Sequence, residues 1–367
     1  MKTNKRTKPL NAYVLFFIIS GTQLGDPAQS FQRNVYIAAG HDAWVCMILN
    51  GLLVSAALYA MVKTMGVYPE KDLYQIHQEL FGRWLGKLFN LAFVLYFFIF
   101  CFTVLHSYGE VVHTWLFPDM NSWLFNTLMS LLFLYGVTGG VQVIAGFAVV
   151  SFILWLWVFL LYYFPWKYAQ VDQLLPLFET GPGQIVKGMR AATYPMLGYE
   201  LVYFLYPFIR DKHNVQKYSQ LAVAFTVFTY CTLLINAIVF YAGEQLKHTV
   251  WATYSWYKIA QFPFLERFEI VGAAFWMILV LPNNLVLLWA STRGMRSVFK
   301  LKQKYALYAC CLIFVLSSEL LFTHEDVEWV SNLLGEFGFF LVWLYPFALL
   351  ALVRWKTGRA KKKGAEA

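Results

Sequence analysis

Ile19-Ser20-Gly21-Thr22-Gln23-Leu24-Gly25-Asp26-Pro27 interrupts the first long apolar run of the chain, and Ala192-Thr193-Tyr194-Pro195-Met196-Leu197-Gly198-Tyr199-Glu200 interrupts the sixth. Glycine weakens a helix interior and proline removes one of its hydrogen bonds, so neither stretch fits one continuous helix. Each break frees backbone N–H or C=O groups, up to about four per helix end. In lipid such groups must face protein, water or a ligand. Helix N-termini favour a carboxylate and C-termini favour a cation or ammonium. Two broken helices side by side therefore form a site suited to a zwitterion such as an amino acid. The competing reading of Gly21-x-x-x-Gly25 alone is close helix packing. Asp26-Pro27 and the second, matching break favour a solute pocket.

The residues around these breaks belong to a bilayer protein. Of 367 residues, 59% are hydrophobic and 13% charged, about half the ~25% charged share of ordinary soluble domains. The 14 Trp and 23 Tyr suit a chain with many membrane–water interfaces. The net charge of +9 is not gathered into one basic stripe, so it argues topology rather than nucleic-acid binding. Cys46, Cys101, Cys231, Cys310 and Cys311 all fall inside apolar runs and read as small core hydrophobes. There is no Gly-rich phosphate loop, nucleophile elbow, metal-ligand spacing or sizeable soluble segment. The sequence thus points away from an enzyme and calls for no cofactor and no metal.

Runs of roughly 20 apolar residues cross a bilayer as helices. Spans are expected near 10–35, 42–64, 86–108, 121–139, 142–165, 185–209, 218–243, 266–291, 305–323 and 334–354, with Gly139 and Gly140 splitting the fourth from the fifth. Residues 1–9 form a basic N-terminus, 10–355 the transmembrane domain and 356–367 a basic tail. With both termini cytoplasmic, all of the 29 Lys and Arg fall inside except Arg33, Lys167, Lys187, Arg190, Lys247, Lys258 and Arg267. The first run lacks a small-residue cleavage site and is expected to stay as an uncleaved span. The fold class is therefore all-α integral membrane, with about ten transmembrane helices. Splitting them five and five makes helices 1 and 6 the broken members of a LeuT-like inverted repeat.

Ionisable groups at membrane depth cost about 2.5–3.5 kcal/mol on insertion scales and face the bundle interior. Asp26 and Glu200 lie beside the breaks and are the first choices for contacting a solute amine or completing a pocket. With them we place Gly21, Gly25, Tyr194 and Gly198 from the breaks. Tyr96, Phe100 and Thr103 share one face of the third span, and Trp276 with Asn283 and Asn284 lies on the eighth. Core packing competes for all of the aromatic positions. Glu269 reads as an ion pair or a carbonyl-satisfying contact between helices, Glu319 as an interfacial acid, and His106 as a hydrogen-bonded interior histidine; Glu110 lies near the end of the third span. His324, Glu325, Asp326 and Glu328 read as a solvated acidic loop.

Several of these stretches together resemble the spore germination receptor B-subunit family, the spore permeases of the amino acid–polyamine–organocation superfamily. They are Ala39-Gly40-His41-Asp42-Ala43-Trp44, similar to that family's G-x-D-A-W box, and Gly25. Leu174-Leu175-Pro176-Leu177-Phe178-Glu179-x-Gly181, Gly198-Tyr199-Glu200, and Leu265-Glu266-Arg267-Phe268-Glu269 leading to Trp276 complete the set. Asp26-Pro27 departs from the small or apolar residues expected there, and Gln142 and Gly146 stand where an acid and a base are expected. The resemblance implies a ten-span inverted-repeat fold in the spore inner membrane. It also implies a small-molecule germinant and assembly with a receptor A subunit and a lipoprotein C subunit. Germinant sensing, secondary transport of amino acids or related organic cations, and a structural subunit with a vestigial pocket remain the readings to separate.

Overall fold

The computed structural model describes residues 9–259, 267–319 and 324–365. Among them, six helical stretches are long and apolar enough to cross a membrane: Phe31–Val67, Leu73–Leu116, Val141–Trp166, Lys212–Phe240, Phe268–Phe299 and His324–Gly358. Val14–Leu24, Ser122–Thr138 and Gln303–Leu316 are shorter apolar helices. The segment expected at 185–209 is not one helix. Helix Pro182–Ala191 stops, single turns follow at Tyr194–Met196 and Tyr199–Leu201, and four helical residues at Val202–Leu205 complete it. The expected first span is likewise divided, into Val14–Leu24, a turn at Pro27–Gln29, and Phe31–Ala39. Both breaks therefore fall where glycine and proline place them.

The helices form a bundle around the two interrupted segments. Phe268–Phe299 packs along Leu73–Val111 and against Val141–Trp155. Val14–Leu24 lies between Val141–Trp155 and Val215–Phe240, while Phe31–Ala39 pairs with Pro182–Ala191. The outer halves of the two broken helices thus lie together. Ser122–Thr138 and Gln303–Leu316 pack on each other beside this core. Leu73–Val111 bends at Gly82, which separates a short N-terminal arm from the membrane-length part. Tyr345–Ala365 runs on past 355, where the basic tail was expected to begin.

Two stretches far apart in sequence meet at one end of the bundle. Gly40, at φ +57, turns the chain out of Phe31–Ala39 and sets Asp42 ahead of Ala43–Val67. The Asp42 carboxylate accepts the backbone N–H of Phe178 at 2.8 Å and of Thr180 at 3.0 Å. The Thr180 hydroxyl donates to the Ala39 carbonyl at 2.9 Å, and the Trp44 and Phe178 rings meet edge to face. Asp42 is buried, while Phe178 holds a positive φ and is exposed. The buried carboxylate supplies the two acceptors that hold this loop in place. At the opposite end, the N–H of Ala12 donates to Asp211 Oδ1 at 2.7 Å, next to the backbone bridge between Leu10 and Ile209.

Two expected outcomes follow from these anchors. Replacing Asp42 by Ala strands two N–H donors and lowers stability by about 1–3 kcal/mol, read as a fall in melting temperature and faster proteolysis within 171–181. Unchanged values would mean that other contacts hold the loop. Burial alone raises the Asp211 carboxyl, but the hydrogen bonds from Ala12 and Asn214 outweigh it and hold its pKa below the usual range. A folded-state pKa below the unfolded one stabilises the protein above the ordinary carboxylate pKa of about 3.9 and is lost as pH falls. Asp211→Asn should melt below wild type at neutral pH and converge with it in acid; a pH-independent gap would rule this linkage out.

Candidate functional site

The breaks are closed by side chains that satisfy the freed backbone groups. At the end of Val14–Leu24, the Asn283 amide nitrogen donates to the Gly21 carbonyl at 2.7 Å, and the Trp276 indole N–H donates to the Gly25 carbonyl at 2.8 Å. The Tyr230 hydroxyl donates to the Gln23 carbonyl, and Gln23 Nε2 donates to the Met196 carbonyl at 2.8 Å. The last contact ties one break to the other. Gly198 sits at φ +114, and a Cβ there would lie 2.7 Å from Thr22 Cγ2, so both backbone and space require glycine. Glu200 is wholly buried and accepts from the Tyr96 hydroxyl at 2.7 Å and from the Gly198 N–H at 2.8 Å. Its two oxygens close the start of the resumed sixth helix.

Beside the breaks lies a cavity of about 60 Å³ whose lining includes Asp26, Ser30, Phe31, Ser107, Ala191 and Tyr194. Asp26 is buried; its Oδ2 accepts from the Tyr194 hydroxyl at 2.9 Å. Asp26 Oδ1 is buried and meets no donor in full hydrogen-bond geometry among the described residues, although the Ser107 hydroxyl stands close enough to act on the carboxylate. Phe31 begins the outer half of the first broken helix, and Ala191 ends the outer half of the second. A helix N-terminus and a helix C-terminus therefore border the same space as an unsatisfied carboxylate oxygen. Charged side chains roof it. Arg33 lies 3.4 Å from Glu328 and donates through Nε to the Lys247 carbonyl at 2.8 Å, and His324 Nδ1 lies 2.9 Å from Glu110.

A protein-family model described as spore germination protein, the spore permeases, matches residues 9–327. The chain belongs to this family. It is 32% identical to spore germination protein GerQB of Bacillus cereus, over 92% of this chain and 93% of that one. Spore germination protein B2 of Bacillus subtilis (strain 168) is 26% identical, over 94% and 95% respectively. Among solved structures, a substrate-bound, outward-open Na⁺-coupled sialic acid symporter superposes with a TM-score of 0.65 at 12% identity, covering 92% of this chain and 80% of its own. MhsT in complex with L-phenylalanine gives a TM-score of 0.65 at 12% identity, over 95% and 89%. Those likenesses show the LeuT-like transporter fold. A family member with this fold and these apolar helices is a multi-pass membrane protein.

Within this spore permease, the residues singled out from sequence separate into layers. Asp26 and Tyr194 line the cavity. Phe100 packs its ring 5.8 Å from that of Tyr194, and Tyr96 holds Glu200 deeper in the bundle. Gly21, Gly25, Gly198 and Trp276 build the breaks, and the Thr103 hydroxyl bonds to the carbonyl of Ile99 in its own helix. Glu269 forms a local pair with Arg267 at 3.2 Å. His106 is an interior histidine bonded to the Phe102 carbonyl at 2.9 Å and to Ser317 at 3.2 Å. Leu265, Glu266 and the Glu319 side chain lie outside the described residues.

One expectation is corrected. His324 and Glu328 are not a freely solvated loop: both are half-buried and pair with Glu110 and Arg33 over the cavity. Alternation of acids in a short polar stretch conceals which one turns inward, and only the fold supplies Arg33 as its partner. Ser30, Arg33 and Ser107 were likewise not singled out, since each is unremarkable in its own neighbourhood.

The tight approach at the first break gives a direct test. A Cβ at Gly25 would lie 2.2 Å from Asn283 Nδ2. Gly25→Ala should therefore cost about 1–3 kcal/mol by overpacking. The pair Gly25→Ala with Asn283→Ala should recover part of the lost melting temperature in detergent. Additive losses in the double variant would show that the two sites do not share the strain.

Proposed function

We propose that this chain is the germinant-sensing membrane subunit of a spore germination receptor, and that it binds a small amine-bearing solute, an amino acid first among them, in the cavity at the two breaks. The observation that carries this reading is Asp26, a buried carboxylate on the cavity wall whose Oδ1 meets no donor in full hydrogen-bond geometry among the described residues, with the Ser107 hydroxyl as its polar neighbour there. An ammonium group satisfies such an oxygen with a charge-assisted hydrogen bond. The start of Phe31–Ala39 suits a solute carboxylate, and the carbonyls at the end of Pro182–Ala191 suit the ammonium. Family membership and the transporter fold support the same reading. The names of the relatives place them in spore germination.

The reading extends to the setting. The chain resides in the spore inner membrane with ten spans and both termini on the core side, and it assembles with a receptor A subunit and a lipoprotein C subunit. The distribution of basic residues supports the orientation, since the lysines and arginines cluster at alternate ends of the apolar runs. Phe100 backs the cavity residue Tyr194, and Tyr96 holds Glu200 deeper in the bundle. Gly21, Gly25, Gly198, Thr103 and Trp276 belong to the same proposed solute region, outside the present cavity lining.

The Arg33–Glu328 and His324–Glu110 pairs border the cavity, so they stand beside any solute that enters it. A ligand-induced thermal shift on the purified chain, against amino acids, sugars and nucleosides, tests the proposal. An amine-bearing, stereospecific hit is expected. Asp26→Asn should weaken it about 10- to 100-fold, as expected for losing a charged hydrogen bond worth ~1.5–3 kcal/mol. Unaltered affinity in Asp26→Asn would displace the pocket from this site. Flux of the same solute across proteoliposomes then separates sensing from transport.

A further inference from the structure

An interrupted membrane helix exposes carbonyl oxygens at the end of its first half, and in transporters built this way such carbonyls coordinate a coupling cation. In this chain three carbonyls at that break already accept from protein donors. The Gly21 carbonyl receives the Asn283 amide nitrogen at 2.7 Å, the Gly25 carbonyl receives the Trp276 indole N–H at 2.8 Å, and the Gln23 carbonyl receives the Tyr230 hydroxyl. Trp276 and Asn283 lie two turns apart, on one face of Phe268–Phe299.

Asn283 is the central member. Gly21 and Gly25 are four residues apart and so open a shallow hollow on one side of the helix end. The Asn283 amide fills it: a Cβ at Gly25 would fall 2.2 Å from Nδ2, and one at Gly21 would fall 3.4 Å from Oδ1. The side chain is buried. An amide NH₂ group carries two hydrogens with partial positive charge, so it offers the helix end the electrostatic partner that a bound cation would. A metal ion entering the hollow would meet those positive hydrogens and would have to displace the nitrogen.

We propose that Asn283 stands in for a coupling cation at the break in the first helix, so that the solute pocket forms without Na⁺ or K⁺. The inference rests on the solute-pocket reading above and deepens it by assigning the ion dependence of that site. Asn283 acts as a positioning residue: it holds the helix end on which Asp26 is mounted.

The experiment reads the ion alone. The purified full-length chain in detergent is melted without solute while NaCl or KCl replaces choline chloride at constant ionic strength. Wild type should show no saturable, cation-specific shift. Asn283→Asp exchanges the donor for a carboxylate beside the Gly21 carbonyl, and its melting temperature should rise saturably with Na⁺ or K⁺. Saturable stabilisation of wild type overturns the proposal, and so do flat titrations of both proteins when Asn283→Asp is folded. If Asn283→Asp does not fold, the wild-type titration decides by itself, flat in support and saturable against. Because no solute is present, failure of the solute panel and failure of this proposal register in separate experiments.

Discussion

The rest of the structure depends on one constraint: a backbone polar group without a partner costs several kcal/mol in a medium that offers no water. A bundle of continuous helices meets that constraint trivially. This chain breaks two of its helices in mid-course and then meets it with individual side chains. Asn283, Trp276, Tyr230 and Gln23 each donate to a carbonyl at a break, and Glu200 accepts the N–H that Gly198 frees. These donors and acceptors come from the seventh and eighth expected spans as well as from the breaks themselves. The packing of Phe268–Phe299 across the first helix is therefore fixed by polar geometry as much as by apolar contact.

That logic distinguishes the two carboxylates at the breaks. Both are buried beside an interrupted helix, and sequence alone gives them the same role. Glu200 reaches its own chain two residues back and the Tyr96 hydroxyl, so both oxygens are satisfied internally. Asp26 has Tyr194 on one oxygen, while the other faces the cavity with only the Ser107 hydroxyl near it and no donor in full hydrogen-bond geometry. In an enclosed site the unsatisfied atom is where a ligand gains most, since pairing it removes a cost already present. The difference between a structural acid and a candidate recognition acid lies in two atoms, not in residue type or depth.

Much of the architecture was legible because it is written in local chemistry. Apolar runs of membrane length, the glycine pair at 139 and 140, and the glycine and proline residues at both breaks act on their own neighbourhoods, and the helices end where they stand. The stretch Ala39 to Trp44 and the stretch Leu174 to Gly181 were each recognisable, but their contact through Asp42 was not. The same holds for the roof of the cavity. Arg33 and Glu328 are 295 positions apart, and nothing near either one indicates the other. Long-range polar pairs carry no period, so pattern reading finds their members only as isolated charges.

A transporter's fold suits a sensor for a reason that the cavity makes concrete. A ligand shifts a conformational equilibrium only by its difference in affinity between the two states. Here a cavity of about 60 Å³ is bordered by the pairs Arg33–Glu328 and Glu110–His324. Phe31–Ala39 and Pro182–Ala191 pack on each other, so they are suited to move as a pair. Their connection to the other halves runs through short turns rather than continuous helix. On the proposed reading, a solute that binds more tightly to a state with those two helices displaced would shift the equilibrium toward it, and no solute would have to cross for the signal to be sent.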